Sequence, residues 1–187
     1  MKKLLLCLLT MATVLVGYGQ SDPAAKKILA EVSKKYNSYK TIQSDFKLTV
    51  QDANKKTFSN TGIMYFNKPK QQYAIKLDDQ EIISNGKSVW NIAKEIKEVQ
   101  ITDVENDNST IGPNNLFTFY QSGYKYVLLS DEKYNNKGKS ETLKVIELAP
   151  LDTKTNYFKI ILKINANNHI HDVTILDKSN NKFNYTM

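Results

Sequence analysis

Ile82-Ile83-Ser84-Asn85-Gly86-Lys87-Ser88-Val89-Trp90 reads as two short apolar arms about an Asn-Gly step. Asn-Gly accepts the positive φ values of a type I′ turn, so residues 81–92 are expected to form a β-hairpin turning at Asn85-Gly86, with Trp90 on its second arm. The same period of two continues upstream. Tyr73, Ile75 and Leu77 alternate with Ala74 and Lys76, a strand runs from Gly62 to about Lys68, and Pro69 ends it by removing a ladder donor. From Thr41, Phe46, Leu48 and Val50 alternate with Asp45, Lys47 and Thr49.

Downstream, residues 98–104 read as another strand, followed by the polar loop 105–109. Pro113 then opens a stretch in which Leu116, Phe117, Phe119 and Tyr120 crowd four large apolar side chains into five positions before Gly123, as in a short helix or broken turn. Strands are expected again at 124–129, 142–148, 157–164, 169–176 and 182–186. Ahead of the first strand, Asp22-Pro23 supplies an N-cap and a proline for the first helical position, and Ala24, Ile28, Val32 and Tyr36 recur every four residues. That helix is flanked by Lys26, Lys27, Lys34 and Lys35, which leave one face solvated. One clear helix, about ten strands and hairpin-length links predict an α+β, mainly β fold: a strongly curved antiparallel sheet with helices on one side, too few to cover it fully, which leaves room for an apolar hollow.

Met1-Lys2-Lys3 and the apolar run from Leu4 to Val16 read as a secretory signal, with Gly17 and Gly19 at the −3 and −1 positions of a cleavage site before Gln20. Residues 1–19 are therefore expected to be removed, leaving 20–187 as a single domain of about 168 residues, enough to bury a core. Cys7, the chain's one cysteine, leaves with the signal. Disulfides, thiolate metal sites and cysteine nucleophiles are thereby excluded. The whole chain carries +7, and removal of Lys2 and Lys3 leaves +5, but its basic residues are scattered lysines without a single arginine. Arginine is the usual fork for phosphate and guanine, so nucleic acid is not the expected partner.

No Gly-x-Ser-x-Gly elbow, phosphate-cradling glycine loop or His-Glu-x-x-His motif is present. His169 and His171 form the one ligand-like pair, two residues apart and expected on one strand face, and without a third ligand they read as ordinary polar residues. Asp78-Asp79 fits a turn between strands. Asn108-Ser109-Thr110 and Asn184-Tyr185-Thr186 match the glycosylation pattern only formally in a chain with a bacterial type of signal. No cofactor or metal is expected, and nothing points to an enzyme.

Taken in order, Val32-Ser33-Lys34-Lys35-Tyr36, Asp45-Phe46, Gly62-Ile63-Met64-Tyr65-Phe66-Asn67-Lys68-Pro69, the segment from Ile82 to Trp90, Pro113 to Tyr120 and Leu148-Ala149-Pro150 resemble the outer-membrane lipoprotein carrier family, LolA. The resemblance spans nearly all of the chain after the signal. It implies a half-barrel capped by a helical lid, with a hollow that shields the acyl chains of lipoproteins crossing the periplasm of a Gram-negative bacterium. It also implies monomeric protein, delivery from an inner-membrane lipoprotein-releasing ABC transporter and hand-over to an outer-membrane acceptor. A periplasmic lipid- or lipoprotein-sensing regulatory domain of the same fold is the second reading.

On that resemblance the expected acyl-chain lining is Phe46, Leu48, Met64, Phe66, Tyr73, Ile75 and Trp90, with Ile28, Val32, Tyr36, Leu116, Phe117 and Phe119 on the lid. Lys68 stands where the family typically has an arginine that latches the lid. Strand parity puts Lys68 on the face of Met64 and Phe66, but its three donors on a flexible stem make a looser latch than a guanidinium. The resemblance further implies an apolar strand beyond the closing hairpin. The sequence stops at Met187, so a truncated, exposed C-terminal sheet edge is expected.

Overall fold

The computed structural model describes residues 21–104, 111–113, 115–136 and 138–187. The expected signal with Cys7, Gly17 and Gly19, the loop 105–109, the Asn108 pattern and Asn114 lie outside the described residues.

Helix α1 (Pro23–Asn37) is followed by β1 (Thr41–Gln51), β2 (Thr57–Asn67), β3 (Gln72–Leu77), β4 (Gln80–Ser84), β5 (Ser88–Ala93) and β6 (Glu98–Asp103). A second run comprises β7 (Tyr124–Leu128), β8 (Glu132–Asn136), β9 (Lys139–Pro150), β10 (Tyr157–Ile164), β11 (Ile170–Asp177) and β12 (Lys182–Thr186). All pair antiparallel in one unclosed sheet of order β6-β5-β4-β3-β2-β1-β12-β11-β10-β9-β7, with β8 also on β9. Leu128 lies opposite Ile146 and Glu132 opposite Leu143, so β7 and β8 run along the same edge of β9 as one interrupted strand. Two meanders thus meet where β1 pairs with β12.

Asp22 caps α1 as expected, its carboxylate accepting from the Ala24 amide at 2.8 Å. The buried stripe, however, is Ala25, Leu29, Val32 and Tyr36, while Ala24 is exposed and Ile28 half-buried. Steps of 4, 3 and 4 track the 3.6-residue turn, whereas repeated steps of four drift around the helix. The hairpin also differs from expectation. Asn85 and Ser88 close it through the Asn85 amide and Ser88 carbonyl, so Gly86-Lys87 are its central residues, and only Gly86 has positive φ (+90°), as in a type II′ turn. The Asn85 side chain instead accepts from the Lys87 and Ser88 amides, both at 2.9 Å.

The aromatic stretch after Pro113 forms turns and a short 3₁₀ segment, Phe119–Gln121, without an α-helix. β8 was not expected from the sequence. The closing strand β12 lies in the middle of the sheet between β1 and β11, and the Met187 amide donates to the His171 carbonyl. The chain's last residues therefore border neither sheet edge, contrary to the expected exposed C-terminal edge. Burial is uneven across the halves. Ile146, Leu148, Ile160, Leu162, Ile164 and Val173 are almost solvent-free, whereas β3 to β5 are half-exposed along most of their length.

Candidate functional site

Opposed residues of a sheet share a face, so the register assigns every side chain to one side. Ser44, Met64, Ile75, Ile82 and Asn91 form one cross-strand row, and Ile42, Phe66, Tyr73, Ser84 and Val89 form the next. Met64 is buried in the core and Phe66 packs against it, which makes these rows the inner face, the one that α1 and the segment 115–121 lie over. The helix approaches the sheet on the β7 side. Its apolar stripe covers the C-terminal meander and leaves the inner face of β3 to β5 only partly screened.

The expected lining residues divide accordingly. Phe46 and Met64 are buried, Leu48, Phe66 and Ile75 pack half-exposed against the core, and Tyr73 is half-buried beside Phe66 with ring centroids 6.1 Å apart. Trp90 does not join them. It opposes Ile83, which opposes Ala74 and then Tyr65, so its ring belongs to the outer face; size and apolarity alone favoured the interior, and only the register shows the parity. The seven residues consequently do not line one cavity. Ile42, Leu77, Ile82 and Val89 also belong to the inner face; counting by twos along a strand reaches Ile42 from Phe46 and Leu77 from Ile75, whereas Ile82 and Val89 are assigned only by the register of β4 and β5.

One cleft of about 570 Å³ is lined by residues that include Ile42, Phe66 and Tyr73. A larger one, about 880 Å³, lies between α1 and residues 120–126, with Lys26, Ala30 and Lys34 on one wall. Neither is the broad apolar hollow expected above.

Between helix and sheet runs an aromatic chain. Phe66 meets Phe117 edge-on at 5.1 Å, Phe117 stacks on Tyr36 at 4.7 Å, and Tyr36 meets Tyr39 edge-on at 6.2 Å. Leu116 is buried in the same cluster, and Phe119 lies against Tyr120 and Tyr124. The Tyr36 hydroxyl accepts from the Ile170 amide at 3.1 Å, and burial pushes its pKa up to about 12. Burial does the same to Tyr120, also to about 12.

Lys68 follows β2 in a 3₁₀ turn that contains Pro69, one step past the last strand residue. Its Nζ donates to the Tyr36 carbonyl at 2.8 Å and to Asn37 Oδ1 at 3.4 Å. An ammonium thus meets the carbonyl end of α1, where the helix dipole is negative. The two histidines diverge. A bulge separates the pairs Ile164–Ile170 and Lys163–Asp172; His171 contacts Asp172 at 2.6 Å, while His169 Nε2 lies 2.9 Å from the Tyr39 hydroxyl. Burial, with Lys35 nearby, lowers the His169 pKa. No group of three or more His, Cys, Asp or Glu side chains among the described residues is placed to hold a metal ion.

The family model for the outer membrane lipoprotein carrier protein LolA matches residues 37–187, from the end of α1 to the last residue. The chain belongs to the LolA family. No curated protein matches the chain. Solved structures similar to it include a LolA superfamily protein from Nitrosomonas europaea, at 14% identity and a TM-score of 0.43, covering 87% of this chain and 90% of that one. The Pseudomonas aeruginosa MucA/MucB complex is similar at 13% identity and 0.47, over 88% of this chain and 56% of the other. The Mycobacterium tuberculosis lipoprotein LppX gives 11% identity and 0.44, over 89% and 94%. No helix among the described residues is long and apolar enough to cross a membrane.

Proposed function

We propose that this LolA-family protein carries lipoproteins across the periplasm, shielding their acyl chains on the inner face of the sheet. The observation that carries this reading is the uneven cover of that face: α1 lies toward β7, while Tyr73, Ile75, Leu77, Ile82 and Val89 stay half-exposed on the other meander. An apolar strip of this kind, next to a movable cover, suits a ligand with long alkyl chains. In this reading α1 and residues 115–121 form the lid, with Ile28, Val32, Tyr36, Leu116, Phe117 and Phe119 as its apolar side. Lys68 is the latch on the Tyr36 carbonyl. Opening separates the Phe117 ring from Phe66 and lets acyl chains replace it against Leu48, Phe66, Tyr73 and Ile75.

Hand-over follows from energetics. Three acyl chains of about sixteen carbons, at ~0.8 kcal/mol per buried CH₂, stand for more than ~30 kcal/mol of water avoidance. Non-covalent binding saturates well below that. Release into water is excluded, so the carrier passes cargo between protein surfaces: from an inner-membrane lipoprotein-releasing ABC transporter to an outer-membrane acceptor.

The test is reconstitution. The protein, membranes bearing a labelled lipoprotein, the transporter and ATP are combined, and label is followed into soluble complexes. The expected result is one lipoprotein per protein chain in the soluble fraction, dependent on ATP. Folded protein that takes up no label would overturn the carrier role. A chain that binds acylated peptide without accepting lipoprotein from the transporter would be a lipoprotein-sensing domain instead.

A further inference from the structure

The two edges of the sheet are finished differently. Along β7 two outward amides are taken: the Tyr126 amide donates to Ser21 Oγ at 3.3 Å and that of Leu128 to Asp22 Oδ2 at 3.4 Å, while the Asp22 amide donates to the Tyr126 carbonyl at 2.9 Å. The chain entering α1 therefore covers the β7 stretch of that edge, while the β8 stretch is exposed and carries Lys133. At the other end all six residues of β6, Glu98–Asp103, are exposed. Val99 and Ile101 are respectively 51% and 62% accessible, and the charges of β6, Glu98 and Asp103, stand at its two ends, so its centre, Val99 to Thr102, has no charge and no proline to guard it.

The phase of the ladder shows which backbone groups are free. The Val104 amide donates to the Lys87 carbonyl, and Asn91 opposes Gln100. Alternation then directs the amides and carbonyls of Glu98, Gln100 and Thr102 to β5, and those of Val99, Ile101 and Asp103 to the open side.

We infer that β6 pairs antiparallel with β6 of a second copy, centred on Gln100. In this register Gln100 faces Gln100 of the second copy, Val99 faces Ile101, and Glu98 faces Thr102. Both apolar residues of the strand lie on the outer face and meet each other, neither carboxylate meets a carboxylate, and Val99 and Ile101 bond through the groups that point outward. Registers displaced by one residue place outer-face side chains opposite inner-face ones and are excluded. Centring on Ile101 sets Ile101 against its own copy but Asp103 against Val99, leaving one apolar pair where the Gln100 register has two. The two-fold axis stands perpendicular to the sheet, so both inner faces remain on one side and their half-covered strips run on into a single apolar surface. A seam of six residues is small beside a standard interface of about 1,600 Å², so the chain is a monomer at low concentration, as the family resemblance implies, and pairs as concentration rises.

Cysteine cross-linking tests the register, since protein expressed from Gln20 lacks Cys7 and contains no other thiol. A non-hydrogen-bonded antiparallel pair brings its α-carbons to about 4.5 Å, within disulfide reach. Gln100→Cys should form a dimeric disulfide under mild oxidation, at least fivefold more completely than Thr102→Cys, whose own copy lies about four residues further along. Adding Ile101→Pro, which removes an outward amide but no bond to β5, should abolish the link; Ile101→Lys should weaken it at least fivefold if the proline variant folds poorly. Equal cross-linking of Gln100→Cys and Thr102→Cys, or protein that stays monomeric in both, overturns the proposal.

Discussion

Lys68 brings a cation from outside α1 to the helix's carbonyl end, where Lys34 and Lys35 already lie in the last turn, and its hydrogen bond to the Tyr36 carbonyl joins the end of β2 to the helix across 32 positions of sequence. Replacing it by methionine keeps the aliphatic stem and removes the charge. Lys68→Met is expected to lower stability in urea by about 1 kcal/mol, and Lys68→Arg to restore most of it, because either cation meets the dipole. A methionine variant as stable as the parent would deny Lys68 any hold on the helix. Tyr36 makes a second prediction. Its hydroxyl and that of Tyr120 have pKa values pushed up to about 12 by burial, against an ordinary value near 10. Between these values the unfolded chain has lost protons that the folded chain keeps. The stability contributed is complete below pH about 10 and is lost as pH rises toward 12. Urea midpoints measured from pH 8 to 12 should fall over that window, and less steeply in Tyr36→Phe. The same variant should cost about 1–3 kcal/mol at neutral pH, since the buried Ile170 amide loses its acceptor.

At the scale of elements, the β4–β5 hairpin is the most position-sensitive turn around the inner face. Gly86 combines a φ of +90° with a site where an added Cβ would stand 3.0 Å from the Lys70 carbonyl. Gly86→Ala is expected to cost about 1–3 kcal/mol, and Asn85→Ala about 1 kcal/mol through its two lost hydrogen bonds; denaturation midpoints decide both. Because the hairpin carries Ile82 and Val89, Gly86→Ala should also weaken acyl-chain binding if the half-exposed strip is the binding face. This hairpin illustrates what sequence can reveal. Asn-Gly announces a turn, and alternation announces its arms, so the element was legible. Which two residues occupy the turn was not, since Asn85 serves there as a side-chain acceptor. Glu132-Lys133-Tyr134-Asn135-Asn136 carries no alternation at all, and β8 is a strand because β9 offers it a ladder. Four-residue steps pick out Ala24 and Ile28, whereas the helix buries Ala25 and Leu29. Bulk and apolarity point Trp90 inward, whereas the register puts it on the outer face. Face assignment depends on register with strands distant in sequence, and residue type does not encode it.

For the whole molecule, the decisive property is that one twelve-stranded sheet has a densely packed half and a half-covered half. The packed meander supplies stability by itself, so the open meander can retain exposed apolar side chains that a fully closed core would not leave. A ligand that binds only the folded state at about 100 times its dissociation constant adds ~2.7 kcal/mol of stability. For a chain of this length that corresponds to a rise in Tm of about 5–10 °C. A triacylated lipopeptide should therefore raise the Tm by that amount, whereas the same peptide without acyl chains should leave it unchanged. The two faces of the sheet then discriminate the site. Ile82 is on the inner face and only half-buried, so Ile82→Asp should remove most of the shift while changing the ligand-free Tm by only a few degrees. Trp90 is four strands from β1 on the outer face, and Trp90→Ser should preserve the shift despite deleting the chain's one tryptophan. If the tryptophan variant loses the lipopeptide response and the aspartate variant keeps it, the acyl chains bind the outer face, and α1 with residues 115–121 covers a structural core instead of a cargo site.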